Sequence, residues 1–222
     1  MISIITPAYN EAQTLPFFIE KLFKEIPDTF KFEVIIVNDG STDATDEKLE
    51  DLQKKFNLRI VSLSKNVGQQ KAIVAGLLIC KGASAIILDC DLQDNPSYIK
   101  EMISKWDKGF KIVLTQRVLR NDSIIKRSLS LSFYYLLNLL DKRLIPNVGD
   151  FFLIDRHVID KVTTSKPRYL RGFLCLADEP KTIINISRDQ RVAGESSYTF
   201  KKMFQLAFDG LATLIKHRRS NR

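Results

Sequence analysis

Short apolar runs alternate with helix-spaced segments through the first half of the chain. Five runs are rich in isoleucine and valine and have the length of buried strands, at residues 2–6, 33–38, 59–64, 85–89 and 112–116. The intervening segments have helical patterns, near residues 14–25, 42–56, 69–80 and 96–106. This alternation predicts an α/β protein with a mainly parallel sheet that is flanked by helices on both faces.

Polar segments follow three of the predicted strands directly. They are Thr6-Pro-Ala-Tyr-Asn-Glu11, Asn38-Asp-Gly-Ser-Thr-Asp43 and Asp89-Cys-Asp-Leu-Gln-Asp94. Each segment alone is also typical of a turn or a helix cap. Because the carboxyl ends of parallel strands meet at one edge of a sheet, the three together predict a ligand crevice there.

The third polar segment carries the most specific chemistry. Asp89 and Asp91 are two residues apart at the end of a strand, with Gln93 close behind. Oxygen ligands of this kind bind divalent cations that also hold phosphate oxygens. The motif is short, and a polar loop that caps a helix near Pro96 explains it equally well when it is considered alone.

Length, charge and cysteine content limit the class of protein. A chain of 222 residues suits one domain. It has no leader-like segment and no apolar run long enough to span a membrane, and its three cysteines suit reduced core thiols, so we expect a cytoplasmic protein. The net charge of +8 comes without a nucleic-acid motif, and we expect no nucleic-acid partner. The sequence neither predicts nor excludes an oligomer.

Glycine-rich phosphate loops do not occur in the sequence. Neither G-x-G-x-x-G nor G-x-x-x-x-G-K-S/T is present. This argues against dinucleotide oxidoreductases and P-loop kinases.

The polar motifs, taken in order along the chain, resemble those of the family 2 inverting glycosyltransferases with the GT-A fold. Later motifs, including Val148-Gly-Asp-Phe151, Leu170-Arg-Gly172 and Arg188-x-x-Arg-x-x-Gly-x-Ser-x-Tyr198, resemble the polyprenyl-phosphate glycosyltransferases of the dolichol-phosphate mannose synthase group. The resemblance implies a catalytic domain over residues 1–198. Its nucleotide-sugar half would cover about residues 1–116, and its acceptor half about residues 117–198.

The resemblance also implies roles on the donor side. The nucleotide's base and ribose would be held by Pro7, Tyr9, Asn10, Glu11 and Asp39, and Asp43 would support their loop. Asp89 would face the ribose and a metal, Mg²⁺ or Mn²⁺. Asp91 and Gln93 would hold that metal and the diphosphate.

On the acceptor side, the resemblance implies a cluster that grips a phosphate-headed lipid. Its members would be Arg117, Lys126, Arg127, Arg188, Arg191 and Ser196. Asp150 is the best candidate for a general base or for a carboxylate that positions the acceptor. The sequence departs from the group's pattern at Phe152, where an arginine is usual, at Ser197, where a lysine is common, and in residues 174–180, which lack the usual Trp and Gly.

We therefore expect an inverting enzyme that moves a hexose-type sugar from a UDP- or GDP-sugar to polyprenyl phosphate. The alternative is a soluble family 2 enzyme that extends a lipid-linked or cell-surface polysaccharide precursor. A nucleotidyltransferase is less favoured because its basic, glycine-rich loop is absent. An inactive sugar-nucleotide-binding module is less favoured because the Asp89 motif is intact.

The end of the chain combines an amphipathic pattern with positive charge. Residues 199–215 place apolar side chains on one helical stripe, and the tail to residue 222 is basic. Such a helix packs on the catalytic core or contacts an anionic membrane, and both can hold at once. We expect peripheral contact at the inner face of the cell membrane.

Overall fold

The computed structural model describes residues 1–26, 29–117 and 141–187. Strands and helices alternate through the first half as predicted: β1 (Ile2–Ala8), α1 (Leu15–Glu25), β2 (Phe32–Asn38), α2 (Thr45–Gln53), β3 (Leu58–Ser62), α3 (Gln69–Ile79), β4 (Ser84–Ile87), a 3₁₀ turn (Pro96–Tyr98), α4 (Ile99–Asp107) and β5 (Ile112–Arg117). The second half adds four elements that the sequence pattern did not predict: β6 (Val148–Asp155), α5 (Arg156–Ser165), α6 (Leu170–Leu176) and β7 (Lys181–Ile186).

The seven strands form one sheet in the order β3-β2-β1-β4-β6-β5-β7. Strands β1, β2, β3 and β4 are parallel neighbours, as are β5 and β7, whereas β6 runs antiparallel to both β4 and β5. The sheet is therefore mainly parallel, as expected. Because β6 is reversed, its amino-terminal end lies beside the carboxyl ends of β4 and β5.

Successive side chains of the central strands enter two hydrophobic cores, one on each face of the sheet. Ile5 and Ile35 pack with residues of α3 and α5, whereas Ile4 and Ile36 pack with residues of α1 and α4. Side chains alternate between the faces of a strand, so a strand that is covered on both faces is apolar throughout. This arrangement leaves the carboxyl edge, where the parallel strands end, as the place for polar loops.

Local signals set most helix boundaries. Asn95 accepts a hydrogen bond from the Ser97 amide at 3.0 Å, which is the predicted start at Asn95-Pro96. Gly109, at φ 97°, follows the end of α4. Helix α2 begins at Thr45 and not near residue 42. None of the helices in the described ranges is long and apolar enough to cross a membrane. The predicted amphipathic helix at 199–215 lies outside those ranges.

Candidate functional site

The loops after β1 and β2 are joined by hydrogen bonds through Asn10. Its amide donates to Ser41 Oγ at 2.9 Å, and its side-chain oxygen accepts from the Thr42 amide at 2.8 Å. Asn10 has φ 56°, a left-handed conformation that asparagine tolerates better than most residues. Asp43 accepts from the amides of Ala12 at 3.3 Å and Thr45 at 3.1 Å. The structure thus brings Asp43 to the loop that it was expected to support.

Asp39 is buried and anchors the second loop to the segment before α3. Its two carboxylate oxygens accept hydrogen bonds from the Val67 amide at 2.7 Å and the Gly68 amide at 2.9 Å. Gly40 has φ 64°, and a Cβ there would lie 2.4 Å from the carbonyl carbon of Lys65. The sequence did not predict these contacts. A carboxylate oxygen has more than one lone pair, so Asp39 keeps acceptor capacity for a nucleoside.

The loop after β4 places its carboxylates by local contacts. Asp89 accepts a hydrogen bond from Gln69 Nε2 at 2.7 Å, and Asp91 accepts one from the Gln93 amide at 3.1 Å. Leu92, between Asp91 and Gln93, has φ 60°, a left-handed conformation that is strained for leucine, and strained residues of this kind cluster at functional sites. Gln69 had no predicted role, and nothing in the spacing of the motif indicates it.

Asp150 lies near Asp89. In the antiparallel β4–β6 pair, Ile87 stands opposite Phe152, and Asp89 and Asp150 each lie two residues beyond that pair, close enough for their charges to interact. Burial raises the pKa of Asp89 well above its usual range, and the negative charges of Asp150, Asp91 and Asp94 raise it further, in that order. Asp89, predicted for the donor side, and Asp150, predicted for the acceptor side, therefore lie close together in a buried and negatively charged part of the site.

Arg117 stands at the end of β5 on the same edge. Its Nη2 lies 3.1 Å from Asp94 Oδ2, and its guanidinium lies over Gly149. A Cβ at Gly149 would come within 2.9 Å of Thr115 Oγ1 and 3.4 Å of Arg117 Nε. The predicted acceptor cation is thus held by a buried aspartate, a partner that the sequence did not indicate.

A second arginine at this edge, Arg171, had no predicted role. It belongs to α6, and its Nε lies 3.3 Å from Asp150 Oδ1. Its Nη1 donates to the Val148 carbonyl at 3.0 Å. The available signal was a single cation within the apolar run Leu170-Arg-Gly-Phe-Leu-Cys-Leu176, since a charged residue in such a helix is buried against a partner.

Some of the remaining predicted residues lie within the described ranges, and the others lie outside them. Pro7 is buried in β1, Tyr9 is 44% exposed at the rim, and Glu11 accepts a hydrogen bond from Thr14 Oγ1. Phe152, where an arginine was expected, is fully buried in the core. The other predicted positions lie outside the described residues, namely Lys126, Arg127, Arg188, Arg191 and Ser196.

The donor residues fit a divalent cation that arrives with a diphosphate. Within the described ranges, no three His, Cys, Asp or Glu side chains form a complete metal cage. Mg²⁺ commonly takes only one or two carboxylates, with substrate phosphates and waters completing its shell. Asp89 and Asp91 would supply those carboxylates. The pKa of Asp89 is raised by burial first and by neighbouring carboxylates second, and a cation beside it would favour the charged form.

Comparison with known proteins bears on the family of the chain. A model of the family described as glycosyl transferase family 2 matches residues 3–163. The uncharacterized glycosyltransferase YkcC of Bacillus subtilis is 36% identical over 218 residues, which cover 95% of this chain and 67% of the relative. The prophage bactoprenol glucosyl transferase homolog of Escherichia coli is 32% identical over 219 residues, which cover 96% of this chain and 71% of the relative.

Solved structures extend the comparison to the fold. Glucosyl-3-phosphoglycerate synthase from Mycobacterium tuberculosis, in complex with Mn²⁺, UDP and glucosyl-3-phosphoglycerate, superposes with a TM-score of 0.70. The likeness covers 97% of this chain and 79% of that one, at 18% identity. At this identity the likeness bears on the fold alone, and it confirms the expected GT-A fold.

Proposed function

The chain belongs to glycosyl transferase family 2, and we propose that it transfers a hexose-type sugar, with inversion, from a nucleotide-diphospho-sugar to a polyprenyl phosphate. One observation carries the proposal: the carboxylates after β4 and the carboxylate of Asp150 on β6 meet at one edge of the sheet. Donor and acceptor would therefore meet there. Relatives named bactoprenol glucosyl transferase support a polyprenyl-phosphate acceptor.

On the donor side, we assign the nucleoside to the two loops that Asn10 joins, together with Asp39. Asp89, Asp91 and Gln93 would hold the cation, and both Mg²⁺ and Mn²⁺ suit these oxygen donors. When bound, the cation supplies charge neutralisation for the diphosphate as it leaves. A carboxylate such as Asp39 accepts hydrogen bonds from ribose hydroxyls.

On the acceptor side, the ionisation state of the acceptor determines whether a general base is needed. A lipid phosphate is already largely ionised near neutral pH, so its oxygen attacks the anomeric carbon from the face opposite the nucleotide without a strong base. Positioning and charge neutralisation then supply most of the catalysis. We assign positioning to Asp150. Phosphate binding is assigned to the cations Arg117, Lys126, Arg127, Arg188 and Arg191, together with the hydroxyl of Ser196.

A second candidate function follows from Phe152. The polyprenyl-phosphate enzymes usually carry an arginine there, whereas this chain buries a phenylalanine in its core. A family 2 enzyme that extends a lipid-linked or cell-surface polysaccharide precursor needs fewer acceptor-side cations. The two candidates differ in acceptor and share the donor site.

A panel of nucleotide sugars distinguishes these candidates. Release of nucleoside diphosphate is measured with UDP- and GDP-hexoses and Mn²⁺, with polyprenyl phosphate, with a lipid-linked saccharide, or with no acceptor. We expect one donor to be consumed when polyprenyl phosphate is present. Consumption only with the lipid-linked saccharide would favour the second candidate, and no consumption with either acceptor would contradict both.

Asp150→Asn tests the role of the acceptor-side carboxylate. We expect the rate with polyprenyl phosphate to fall by about a hundredfold, as for a misplaced reactant, while nucleotide binding with Mn²⁺ is kept. A larger loss, up to about four powers of ten, would instead indicate that Asp150 is a general base. A near-normal rate would remove Asp150 from the mechanism.

We also propose peripheral contact with the inner face of an anionic membrane, through residues 199–222. Their six Lys and Arg residues against a single acidic residue would attract anionic lipids. Flotation with anionic vesicles tests this contact. Equal flotation by a chain that lacks residues 199–222 would contradict it.

A further inference from the structure

We propose that Arg171 is a positioning residue that holds the Asp150 carboxylate toward the acceptor at the edge of the sheet. The proposal rests on the proposed function, because it assigns Arg171 a part in the same transfer. It adds a residue of α6, outside the loops that carry the donor site.

The contacts of Arg171 span the start of β6. Its Nη1 donates to the Val148 carbonyl at 3.0 Å, and its Nε lies 3.3 Å from Asp150 Oδ1. One guanidinium therefore touches the residues on either side of Gly149. The hydrogen bond to the Val148 carbonyl fixes the position of the guanidinium, and the ion pair at Nε then attracts the Asp150 carboxylate toward it.

The guanidinium is itself held in place. It lies over the Tyr169 ring, with Cζ 5.6 Å from the ring centroid. The Leu170 amide donates to Gln70 Oε1 at 2.9 Å, which ties the start of α6 to the start of α3. The next residue of α3 toward its amino terminus, Gln69, donates to Asp89. Adjacent glutamines of α3 thus bind Asp89 on one side of the site and the backbone next to Arg171 on the other.

Charge explains why Asp150 needs such a partner. The side chains of Arg171 and Asp150 are 9% and 10% exposed, and both Asp150 and Asp89 lie two residues beyond the Ile87–Phe152 pair at the end of the β4–β6 ladder. Two carboxylates at one buried position repel each other, and a buried charge is costly unless it is paired. Without Arg171, Asp150 would turn away from Asp89 and from the edge.

Arg117, which is proposed to bind the acceptor phosphate, differs from Arg171 in exposure and in partner. Its side chain is 26% exposed at the end of β5, and it pairs with Asp94. Arg171 is more deeply buried and contacts the protein's own carbonyl and carboxylate. We therefore assign Arg171 an effect that acts through Asp150 and not by contact with the acceptor.

A double-mutant cycle tests this assignment. The kcat/KM for polyprenyl phosphate is measured for the wild type, Arg171→Met, Asp150→Asn and the double variant. We expect Arg171→Met to cost roughly tenfold to a hundredfold in the wild type, but less than about threefold when Asp150 is already Asn. Arg171→Lys should recover part of the loss because it keeps the charge. If Arg171 were needed only for packing, Arg171→Met would keep the volume and the rate would not fall.

Control measurements separate positioning from folding and from donor binding. Arg156→Met removes an arginine that binds the Gly82 carbonyl, away from Asp150, and it should leave kcat/KM unchanged. Nucleotide binding with Mn²⁺ should be the same in Arg171→Met as in the wild type. If Arg171→Met does not fold, the double variant lacks both buried charges, and its activity should equal that of Asp150→Asn.

Two results would overturn the assignment. Additive losses in the cycle, or a normal rate for Arg171→Met, would remove the positioning role while leaving the transfer reaction in place. A wild-type chain that transfers no sugar to polyprenyl phosphate would remove the reaction and the role together.

Discussion

At the scale of single residues, the site is an arrangement of buried carboxylates and the cations that face them. Two of the carboxylates form ion pairs, Asp94 with Arg117 and Asp150 with Arg171. Asp89 instead accepts a hydrogen bond from the side-chain amide of Gln69. Asp89 has a raised pKa because burial and neighbouring carboxylates disfavour its charge. A cation bound at these carboxylates would offset their repulsion. The residues packed against each arginine determine where its guanidinium lies.

Gly149→Ala is expected to disturb Arg117. A Cβ at residue 149 would lie 2.9 Å from Thr115 Oγ1, so the Thr115 hydroxyl must shift, and the added methyl group would touch Arg117 Nε at 3.4 Å, the lower limit of ordinary contact. We expect a loss of about 1–3 kcal/mol in the free energy of unfolding, and a higher KM for the acceptor. Denaturant unfolding and steady-state kinetics measure the two effects.

Gly82→Ala is the matched control for that variant. A Cβ at Gly82 would lie 2.6 Å from the Ser3 amide nitrogen, at the opposite edge of the sheet. It should lower stability and leave the acceptor KM unchanged. An unchanged acceptor KM in Gly149→Ala as well would contradict the role given to Arg117.

At the scale of elements, the sequence pattern predicts the first nine elements but not the reversed strand that completes the site. Strands β1 to β5 show the runs of Ile and Val typical of buried parallel strands, and turn residues separate them from the helices. Strand β6 carries Gly149 and Asp150 near its start, and both residue types are depleted in strands. The polar loops were therefore predictable, whereas the proximity of Asp150 to Asp89 depends on a strand pairing that no local pattern shows.

Gly76→Ala tests how closely α3 packs on the sheet. A Cβ there would lie 2.5 Å from Ile5 Cγ2 and 3.1 Å from Val37 Cγ2. Alanine favours an exposed helix by about 1 kcal/mol over glycine, but overpacking at this contact should cost about 1–3 kcal/mol. We expect net destabilisation in urea unfolding.

Leu78→Ala gives the comparison on the same helix. Its side chain is 57% exposed, so the free energy of unfolding should change by no more than about 0.5 kcal/mol. A stabilised Gly76→Ala would show that β1 and β2 have room for the extra methyl group.

Asp155→Asn is expected to make the unfolding free energy less dependent on pH. Asp155 accepts hydrogen bonds from Trp106 Nε1 at 2.8 Å, Lys111 Nζ at 3.1 Å and the His157 amide at 3.2 Å. Burial raises its pKa, but these donors outweigh burial and lower the pKa overall. The carboxylate therefore stabilises the fold above its unfolded pKa of about 3.9, and the contribution is lost as the pH falls through the lower folded value.

Urea unfolding between pH 7 and pH 2 measures that contribution. At pH 7 we expect Asp155→Asn to cost about 1–2 kcal/mol, and the difference from the wild type should narrow below about pH 4. Asp160→Asn is the control, since its pairing with Arg156 is at the surface and contributes little. A difference that stays constant with pH would contradict the role of the Asp155 charge.

At the scale of the whole molecule, the donor and acceptor sides share one sheet. Strand β6 lies between β4 and β5, so residues from the second half of the chain complete an edge that the first half begins. The class of fold and the edge that carries the site follow from the sequence, because alternating elements place strand ends together. The proposed acceptor side is harder to predict from the sequence, because the role proposed for Arg171 depends on tertiary contacts that its position in the sequence does not reveal.

Metal-dependent stabilisation by nucleotide tests the donor site in the intact chain. UDP or GDP with Mn²⁺, at a hundred times its dissociation constant, should stabilise the fold by about 2.7 kcal/mol, a rise in Tm of roughly 5–10 °C. The rise should disappear with EDTA and in Asp91→Asn, while Asp160→Asn should keep it. An equal rise without metal would contradict the assignment of Asp89 and Asp91 as cation ligands.

The mass and anomeric configuration of the lipid product test the central claim most directly. The chain is incubated with the consumed nucleotide sugar, Mn²⁺ and polyprenyl phosphate, and the lipid is isolated for mass spectrometry and NMR. We predict polyprenyl phosphate that carries a single hexose with its anomeric configuration inverted relative to the donor. A hexose with retained configuration, or no hexose attached to the lipid phosphate, would contradict the account.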